Sequence, residues 1–191
     1  MAALEAAMER HALAYPVVVK PDQGQRGAGV KRVRDADEAR AVLAANPSPL
    51  LVQRHVPGPF EAGVFYYRFP GAARGRIFAI TEKVFPVVRG DGRATLAELV
   101  AADDRARLVA AVYRRRFGTR WDAVVPAGAE VRLVEAGNHA QGCVFRDGGH
   151  LLTPELERVF DGISRRLPGF FVGRYDVRCV SPDDLRRGGL D

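Results

Sequence analysis

The sequence has little of several features that mark particular protein classes. It contains two cysteines in 191 residues, which are too few for a disulfide framework, and no second cysteine pair completes a zinc-binding pattern. No apolar run approaches the roughly 20 residues that a membrane-spanning helix requires. Charged residues interrupt the N-terminal segment, so it does not resemble a signal peptide. We therefore expect a cytoplasmic protein that does not bind membranes.

Lysine is the scarcest charged residue, with 3 lysines against 26 arginines. If arginine replaces lysine wherever a generic positive charge suffices, the remaining lysines are positions that need an ammonium group. The net charge of +6 favours anionic partners. Nucleic acid is disfavoured as that partner, because arginine clusters such as Arg114, Arg115 and Arg116 have few aromatic residues interleaved with them.

The order of hydrophobic patterns and turn signals predicts an α+β fold dominated by antiparallel sheet. A glycine-rich turn joins strands predicted over 16–20 and 29–33, and Asp35 is the predicted N-cap, with Glu38 as its capping-box partner, of a helix that ends near residue 45. Further strands are predicted over 50–54, 60–69, 74–85, 130–135, 143–145 and 170–180. Helices are predicted over 2–13, over 95–101 with Thr95 as the cap, over 104–117, and over 153–167 with Pro154 at its first position. Residues 86–93 are predicted to form a loop.

The stretch YPVVVKPDQGQRGAGVKRV places Lys20 at the end of an apolar strand, ahead of Gly24, Gly27 and Gly29. The glycine spacing matches neither the P-loop nor the dinucleotide-binding motif. A flexible β-turn can nevertheless offer backbone N–H groups to phosphate oxygens, and a lysine at its base can add a point charge. On its own, the stretch is compatible with a plain β-hairpin, a phosphate-binding loop or a nucleic-acid contact.

Later segments add polar residues at strand ends and along strands. In chain order these segments supply Gln53, Arg54, Val56, Glu61, Lys83, Arg174 and Asp176. Arg174 and Asp176 stand two apart on one predicted strand, so their side chains face the same side. An adenine pocket, a ribose acceptor, a second phosphate-binding lysine and a metal-binding carboxylate would occur in this order.

The combined order resembles that of the ATP-grasp superfamily, and within it the D-alanine–D-alanine ligase and cyanophycin synthetase types of carboxylate–amine ligase. The resemblance extends from about residue 15 to residue 179. It implies two lobes of antiparallel sheet and helices that clamp a nucleotide, a small lobe over 1–56 and a large lobe over 57–191. It also implies ATP and Mg²⁺ as cofactors and a small-molecule carboxylate and amine as substrates, joined through an acyl phosphate. Homodimers are common among such relatives.

The resemblance assigns the phosphate end of the nucleotide to two lysines and a loop. Lys20 and Lys83 would contact the phosphates, and Lys83 would also be catalytic. The loop that folds over the phosphates would include Gln23, Gly24, Gly27 and Gly29.

The remaining roles implied by the resemblance concern adenosine, the reacting group and the metal. The hinge that reads the adenine edge would consist of Gln53, Arg54 and Val56. Glu61 would accept the ribose hydroxyls, Arg174 would face the acyl phosphate, and Asp176 would hold magnesium.

The chain also departs from the family pattern. Only about 14 residues precede Tyr15, where relatives have an N-terminal domain, and the strand with a Glu-x-Asn pair that completes the magnesium site is missing. We therefore expect the core of a larger ATP-grasp protein or a naturally shortened form. A non-catalytic nucleotide-binding or interaction module and a basic nucleic-acid-binding domain remain alternatives. Asp176 has a structural alternative too, an ion pair with Arg174 or Arg178, and His139 is interpreted as a structural turn residue.

Overall fold

The computed structural model describes residues 1–23, 28–135 and 137–189. The chain divides into two compact units, Met1–Pro57 and Gly58–Asp191; the sequence predicts a boundary between residues 56 and 57. Paired strands are antiparallel in each unit, and the predicted α+β fold is therefore confirmed. Within the described ranges, no helix combines the length and apolarity needed to cross a bilayer.

The smaller unit is a three-stranded sheet with two helices. Its elements are α1 (Ala2–Arg10), β1 (Val17–Pro21), β2 (Lys31–Val33), α2 (Ala36–Ala45) and β3 (Leu50–Arg54). β1 is the central strand and pairs with both β2 and β3. Because alternate strand residues point to opposite faces, Val17 and Val19 enter the core while Lys20 points to the other face.

The start of α2 follows the prediction. The carboxylate of Asp35 accepts hydrogen bonds from the backbone N–H groups of Asp37 and Glu38, at 3.0 and 2.9 Å, which satisfies N–H groups that have no partner within the helix. The predicted capping box is wrong in one contact. The Glu38 carboxylate accepts from the backbone N–H of Arg34, at 2.9 Å, one residue before the N-cap.

The larger unit contains a four-stranded sheet, a two-stranded ribbon and helices. Its elements are β4 (Phe60–Tyr67), β5 (Arg76–Val84), β6 (Val87–Arg89), α3 (Leu96–Ala102), α4 (Ala110–Phe117), β7 (Glu130–Arg132), β8 (Val144–Asp147), α5 (Pro154–Arg165), β9 (Val172–Cys179) and α6 (Pro182–Arg186). The main sheet has the strand order β8-β5-β4-β9, and β6 pairs with β7. Short 3₁₀ turns connect several of these elements.

One face of the main sheet carries the apolar core of this unit. The buried strand residues are Ala62, Val64, Tyr66, Ile77 and Ile80. They pack with Leu156 and Phe160 of α5 and Leu185 of α6. Because this face must be buried, the register of the strands is fixed, and the intervening residues are directed to the opposite face.

A second core lies around the β6–β7 ribbon. Val88 of β6 and Leu133, just after β7, are buried together with Leu96 and Val100 of α3 and Tyr113 of α4. Thr95 caps α3 as predicted. Its hydroxyl accepts a hydrogen bond from the backbone N–H of Glu98, and the Glu98 carboxylate accepts one from the backbone N–H of Thr95. The capping box satisfies two backbone donors at the start of the helix.

Three sequence predictions differ from the structure. Residues 86–93 are not loop throughout, because β6 pairs with β7. The helix predicted over 104–117 is a 3₁₀ turn, Ala106–Val109, followed by α4. α6 was not predicted; it begins at Pro182, after Ser181, whose hydroxyl accepts from the backbone N–H of Asp184.

We predict that Phe160→Ala lowers the free energy of unfolding by about 3–5 kcal/mol, because it removes a fully buried ring and leaves a cavity. Leu108→Ala is the matched control: Leu108 is 78% exposed, and its loss should change stability by less than about 0.5 kcal/mol. Chemical denaturation measures both values. Similar effects for the two variants would contradict the described core.

Candidate functional site

Charged side chains gather on the face of the main sheet opposite the apolar core. Strand alternation brings together Glu61 of β4, Lys83 of β5, and Arg174, Asp176 and Arg178 of β9. These five residues are called the charged face below. Glu61 lies directly opposite Lys83 on one side and Arg178 on the other. The charged face thus holds three cations and two carboxylates, which leaves one positive charge in excess.

Lys83 is the most enclosed cation of the charged face. Its side chain is 8% exposed, and its Nζ lies 2.9 Å from Oδ1 of Asp176 and 3.6 Å from Oε2 of Glu61. Asp176 is therefore its closer partner. A buried ammonium without a counter-charge is strongly unfavourable, and these two carboxylates supply the counter-charge for Lys83.

Asp176 bridges Lys83 and Arg174. Its Oδ2 accepts a hydrogen bond from Nη2 of Arg174 at 3.0 Å, and half of its side chain is exposed. Burial acts to raise the pKa of Asp176, but the hydrogen bond and charge of Lys83, together with Arg174, lower the pKa below its usual value. Asp176 is consequently held as a carboxylate.

Glu61 is buried, with 7% of its surface exposed, and both of its carboxylate oxygens have partners. Oε1 accepts from Nε of Arg178 at 2.8 Å and also from Nη2 of the same guanidinium. Oε2 accepts from the backbone N–H of Gly137 at 2.9 Å and also faces Lys83. Nη2 of Arg178 donates further to the backbone carbonyl of Glu135 at 2.6 Å. Glu61 and Arg178 thereby join the sheet to the backbones of Gly137 and Glu135.

Two glycines leave the space that these contacts need. Gly63 lies between Glu61 and Phe65 on β4, opposite Asp176, and a Cβ there would lie 3.3 Å from Cδ of Arg174 and 3.7 Å from Oδ1 of Asp176. A Cβ on Gly137 would lie 2.6 Å from Oε2 of Glu61 and closer still to Cδ of Lys83. Residue 137 must therefore be glycine if its backbone is to reach Glu61.

The segment that follows Gly137 also contacts α4 and the residues that precede α4. Tyr113 donates its hydroxyl to the backbone carbonyl of Gln141 at 2.9 Å, and Nη2 of Arg116 contacts Oε1 of Gln141 at 2.8 Å. Nε of Arg105 donates to the carbonyl of Gly142 at 3.3 Å. These contacts fix the backbone of the segment beside Lys83.

His139 lies at the edge of this arrangement. Its ring makes an edge-on contact with Phe145 of β8, with ring centroids 5.3 Å apart, and Phe145 pairs directly with Lys83. His139 is therefore close to the charged face, and its ring packs against Phe145 beside it. Its interpretation as a turn residue agrees with its position in the 3₁₀ turn His139–Gln141.

In the smaller unit, two of the predicted nucleotide residues share a sheet face. Lys20 pairs with Leu51, and Gln53 pairs with Val18 two residues away, so both side chains point away from the core. Arg54 pairs with Val17 and is directed to the other face. Val56 follows the end of β3 and is half-buried.

The predicted phosphate loop is described only at its ends. Gln23 follows β1, and Gly29 precedes β2 with a φ of +74°, a value that disfavours any residue with a side chain. Gly24 and Gly27 lie outside the described residues. The roles of the loop, and those of the other predicted site residues, stay predictions.

The Gly90-Asp91-Gly92 motif is a tight turn. The carboxylate of Asp91 accepts from the backbone N–H groups of Arg93 and Ala94, at 2.8 and 2.7 Å. The backbone N–H of Gly92 donates to the carbonyl of Val125 at 3.1 Å. These contacts account for the motif by local structure.

Sequence reasoning missed the contribution of Arg178 to this site. It offered Arg178 as an ion-pair partner of Asp176, but the guanidinium contacts Glu61 instead. The alternation Arg174-x-Asp176-x-Arg178 signals that all three residues share one face. No comparable signal identifies Gly137, which approaches Glu61 from 76 positions along the chain.

Magnesium requires oxygen ligands and is commonly held by one or two carboxylates together with phosphate oxygens. Asp176 fits the role of one such carboxylate, although both of its oxygens already contact cations. Over residues 1–23, 28–135 and 137–189, no group of three or more His, Cys, Asp and Glu side chains is arranged to hold a metal ion.

Comparison with known proteins finds similarity to a curated relative and to solved structures. The chain is 28% identical over 189 residues to cyanophycin synthetase of Synechocystis sp. (strain ATCC 27184 / PCC 6803 / Kazusa), a match that covers 85% of this chain and 21% of the relative. A bifunctional glutathione synthetase from Pasteurella multocida matches with a TM-score of 0.42 and 21% identity, over 93% of this chain and 26% of the other. The chain thus spans about a fifth of the length of the curated relative. No protein-family model matches it.

We predict that Gly137→Ala destabilises the protein by about 1–3 kcal/mol, because the added methyl overlaps Lys83 and Glu61. Gly162→Ala is the matched control, for which we expect a change in stability of opposite sign. Gly162 lies within α5, and a Cβ there would meet no atom within 4 Å. Its gain in helix propensity should stabilise the protein by about 0.5–1 kcal/mol. Chemical denaturation of both variants checks the prediction, which is wrong if Gly137→Ala is as stable as the wild type.

We predict that Asp176→Asn weakens the acid dependence of stability. Because the pKa of Asp176 is lowered by folding, its carboxylate stabilises the fold above the unfolded-state pKa, and this contribution disappears as the pH falls through the folded-state pKa. Below about pH 5, the free energy of unfolding should therefore fall more steeply for the wild type than for Asp176→Asn. Urea denaturation at stepwise lower pH measures both slopes. Parallel curves with a constant offset would contradict the prediction.

Proposed function

We propose that the chain is the nucleotide-binding region of an ATP-dependent carboxylate–amine ligase of the ATP-grasp type. The observation that carries the proposal is the charged face, where Lys83 and Arg174 meet at the carboxylate of Asp176. A cluster with an excess of positive charge on a rigid sheet suits a phosphoryl group, whose developing charge must be stabilised by fixed cations.

Lys83 and Arg174 have different roles in this proposal. Lys83 is a compact ammonium on a mostly enclosed stem and would bind nucleotide phosphate as a point charge. Arg174 is more exposed, and its planar guanidinium would face the acyl phosphate, to which it can donate two parallel hydrogen bonds. Lys20 and Gln23 would also contact the phosphates, and Gln53 would read the adenine edge.

The proposed reaction forms an amide or peptide bond in two steps. The substrate carboxylate takes the terminal phosphoryl group of ATP, which releases ADP and forms an acyl phosphate. The amine then attacks the carbonyl carbon, displaces phosphate and loses a proton. Asp176 would hold Mg²⁺, which supplies charge neutralisation on the phosphate oxygens when bound. Similarity to cyanophycin synthetase over most of this chain supports the proposal, while the acid and the amine would depend on the whole protein.

We predict that Lys83→Met and Lys20→Met each weaken ATP binding by about tenfold or more, because each removes a charged contact to phosphate. Lys31→Met is the matched control. Lys31 is the remaining lysine of the chain and lies exposed on β2, outside the proposed phosphate contacts. Calorimetric titration of the full chain with ATP, with and without Mg²⁺, measures the affinities.

The result has two opposing outcomes. Loss of affinity in the Lys83 and Lys20 variants, with Lys31→Met unchanged, supports the proposal. Equal affinities in all four proteins, or no ATP binding by the wild type, would overturn it.

A further inference from the structure

The carboxylate of Glu61 is saturated by groups of the protein itself. Arg178 occupies Oε1 through two nitrogens, and the backbone N–H of Gly137 occupies Oε2, which also faces Lys83. The side chain is 9% exposed. A carboxylate that binds ribose must instead present free acceptor positions to two hydroxyl donors.

The surroundings of Glu61 make it a support for Lys83. Both residues are directly opposed on neighbouring strands, so the carboxylate lies beside the lysine stem, and the ammonium extends to Asp176. Glu61 also holds Gly137 close to the same stem. The approach is so close that a Cβ at Gly137 would overlap both side chains. The sheet and the segment at residue 137 thus enclose Lys83 from two sides, with Glu61 as their common contact.

We infer that Glu61 is a positioning residue that holds Lys83 in place for phosphate binding, and that it does not bind the ribose of the nucleotide. This inference rests on the proposed function. It assigns to the phosphate end of ATP a residue that the family resemblance assigns to the sugar. The two roles differ in which part of the ligand loses affinity when Glu61 is changed. That part is the phosphates if Glu61 positions Lys83, and the ribose if Glu61 binds the sugar.

The test compares three ligands that differ in the sugar. ATP, 2′,3′-dideoxy-ATP and inorganic tripolyphosphate are titrated calorimetrically, each with Mg²⁺, into the full chain and into Glu61→Gln. Glutamine keeps an acceptor for Arg178 but turns an N–H₂ donor towards Gly137 and Lys83. We expect all three ligands to lose affinity by the same factor, about tenfold. A loss seen with ATP but absent with the other two ligands would overturn the inference.

A double-mutant cycle separates positioning from general damage to the fold. If Glu61 acts through Lys83, Glu61→Gln should weaken tripolyphosphate binding in the wild type but have no further effect in Lys83→Met. Independent losses that multiply in the double variant would show that Glu61 does not act through Lys83. Glu82→Gln is the matched control, because it makes the same chemical change at the β5 residue next to Lys83. Glu82 pairs with the core residue Ala62 and therefore faces away from the charged face. All three affinities should be unchanged in this variant.

The outcomes distinguish this inference from the proposed function. If the wild type binds neither ATP nor tripolyphosphate, the proposed function fails and the inference fails with it. If the wild type binds both and the effect of Glu61→Gln depends on the ribose hydroxyls, only the inference fails. Should Glu61→Gln not fold, as judged by its thermal unfolding, Glu61→Asp is compared in the same way, since it keeps the charge but withdraws it from Gly137 and Lys83.

Discussion

The arrangement of the charged face in the larger unit depends on one constraint. Lys83 lies in an enclosed part of a β-sheet, where its charge must be compensated. Lys83 and Asp176 are not on adjacent strands, because β4 lies between them. Their ion pair forms across β4 because Gly63, the β4 residue opposite Asp176, has no side chain in its path. A Cβ at this position would already lie 3.3 Å from Cδ of Arg174 and 3.7 Å from Oδ1 of Asp176, so a larger side chain would occupy the space beside these charges.

The apolar face of the same sheet determines where these charges lie. Ala62, Val64 and Tyr66 are fully buried against α5, and a shift of one residue in register would exchange them with Glu61, Gly63 and Phe65. The burial of apolar area therefore selects the register, and the register then sets which charges meet. The hydroxyl of Tyr66 adds a directional contact to Asp161 at 2.8 Å, which further restricts sliding between the sheet and α5.

Sequence reasoning succeeded where structure is determined by nearby residues. The cap at Asp35, the cap at Thr95 and the start of α5 at Pro154 each follow from interactions within about four positions. It also grouped Arg174 with Asp176, because strand alternation is local. It failed where partners are distant: the predicted loop over 86–93 contains β6, a three-residue strand that depends on pairing with β7, and nothing near Gly137 indicates Glu61. The family resemblance implied roles for single residues, but it gave no information on the protein groups that already contact the carboxylate of Glu61.

The ion pairs of the charged face also bear on how phosphate would bind there under the proposed function. Asp176 compensates Lys83 with Nζ at 2.9 Å, so a phosphate that contacts Lys83 must share the ammonium with a carboxylate of like charge. Arg174 and the single excess positive charge offset part of this repulsion. Magnesium held by Asp176 would offset more, because magnesium commonly binds nucleotides together with one or two carboxylates. Under the proposed function, the pairing of Asp176 with Lys83 would make the affinities for metal and nucleotide rise together, because each ligand would remove a repulsion or an unpaired charge that the other leaves.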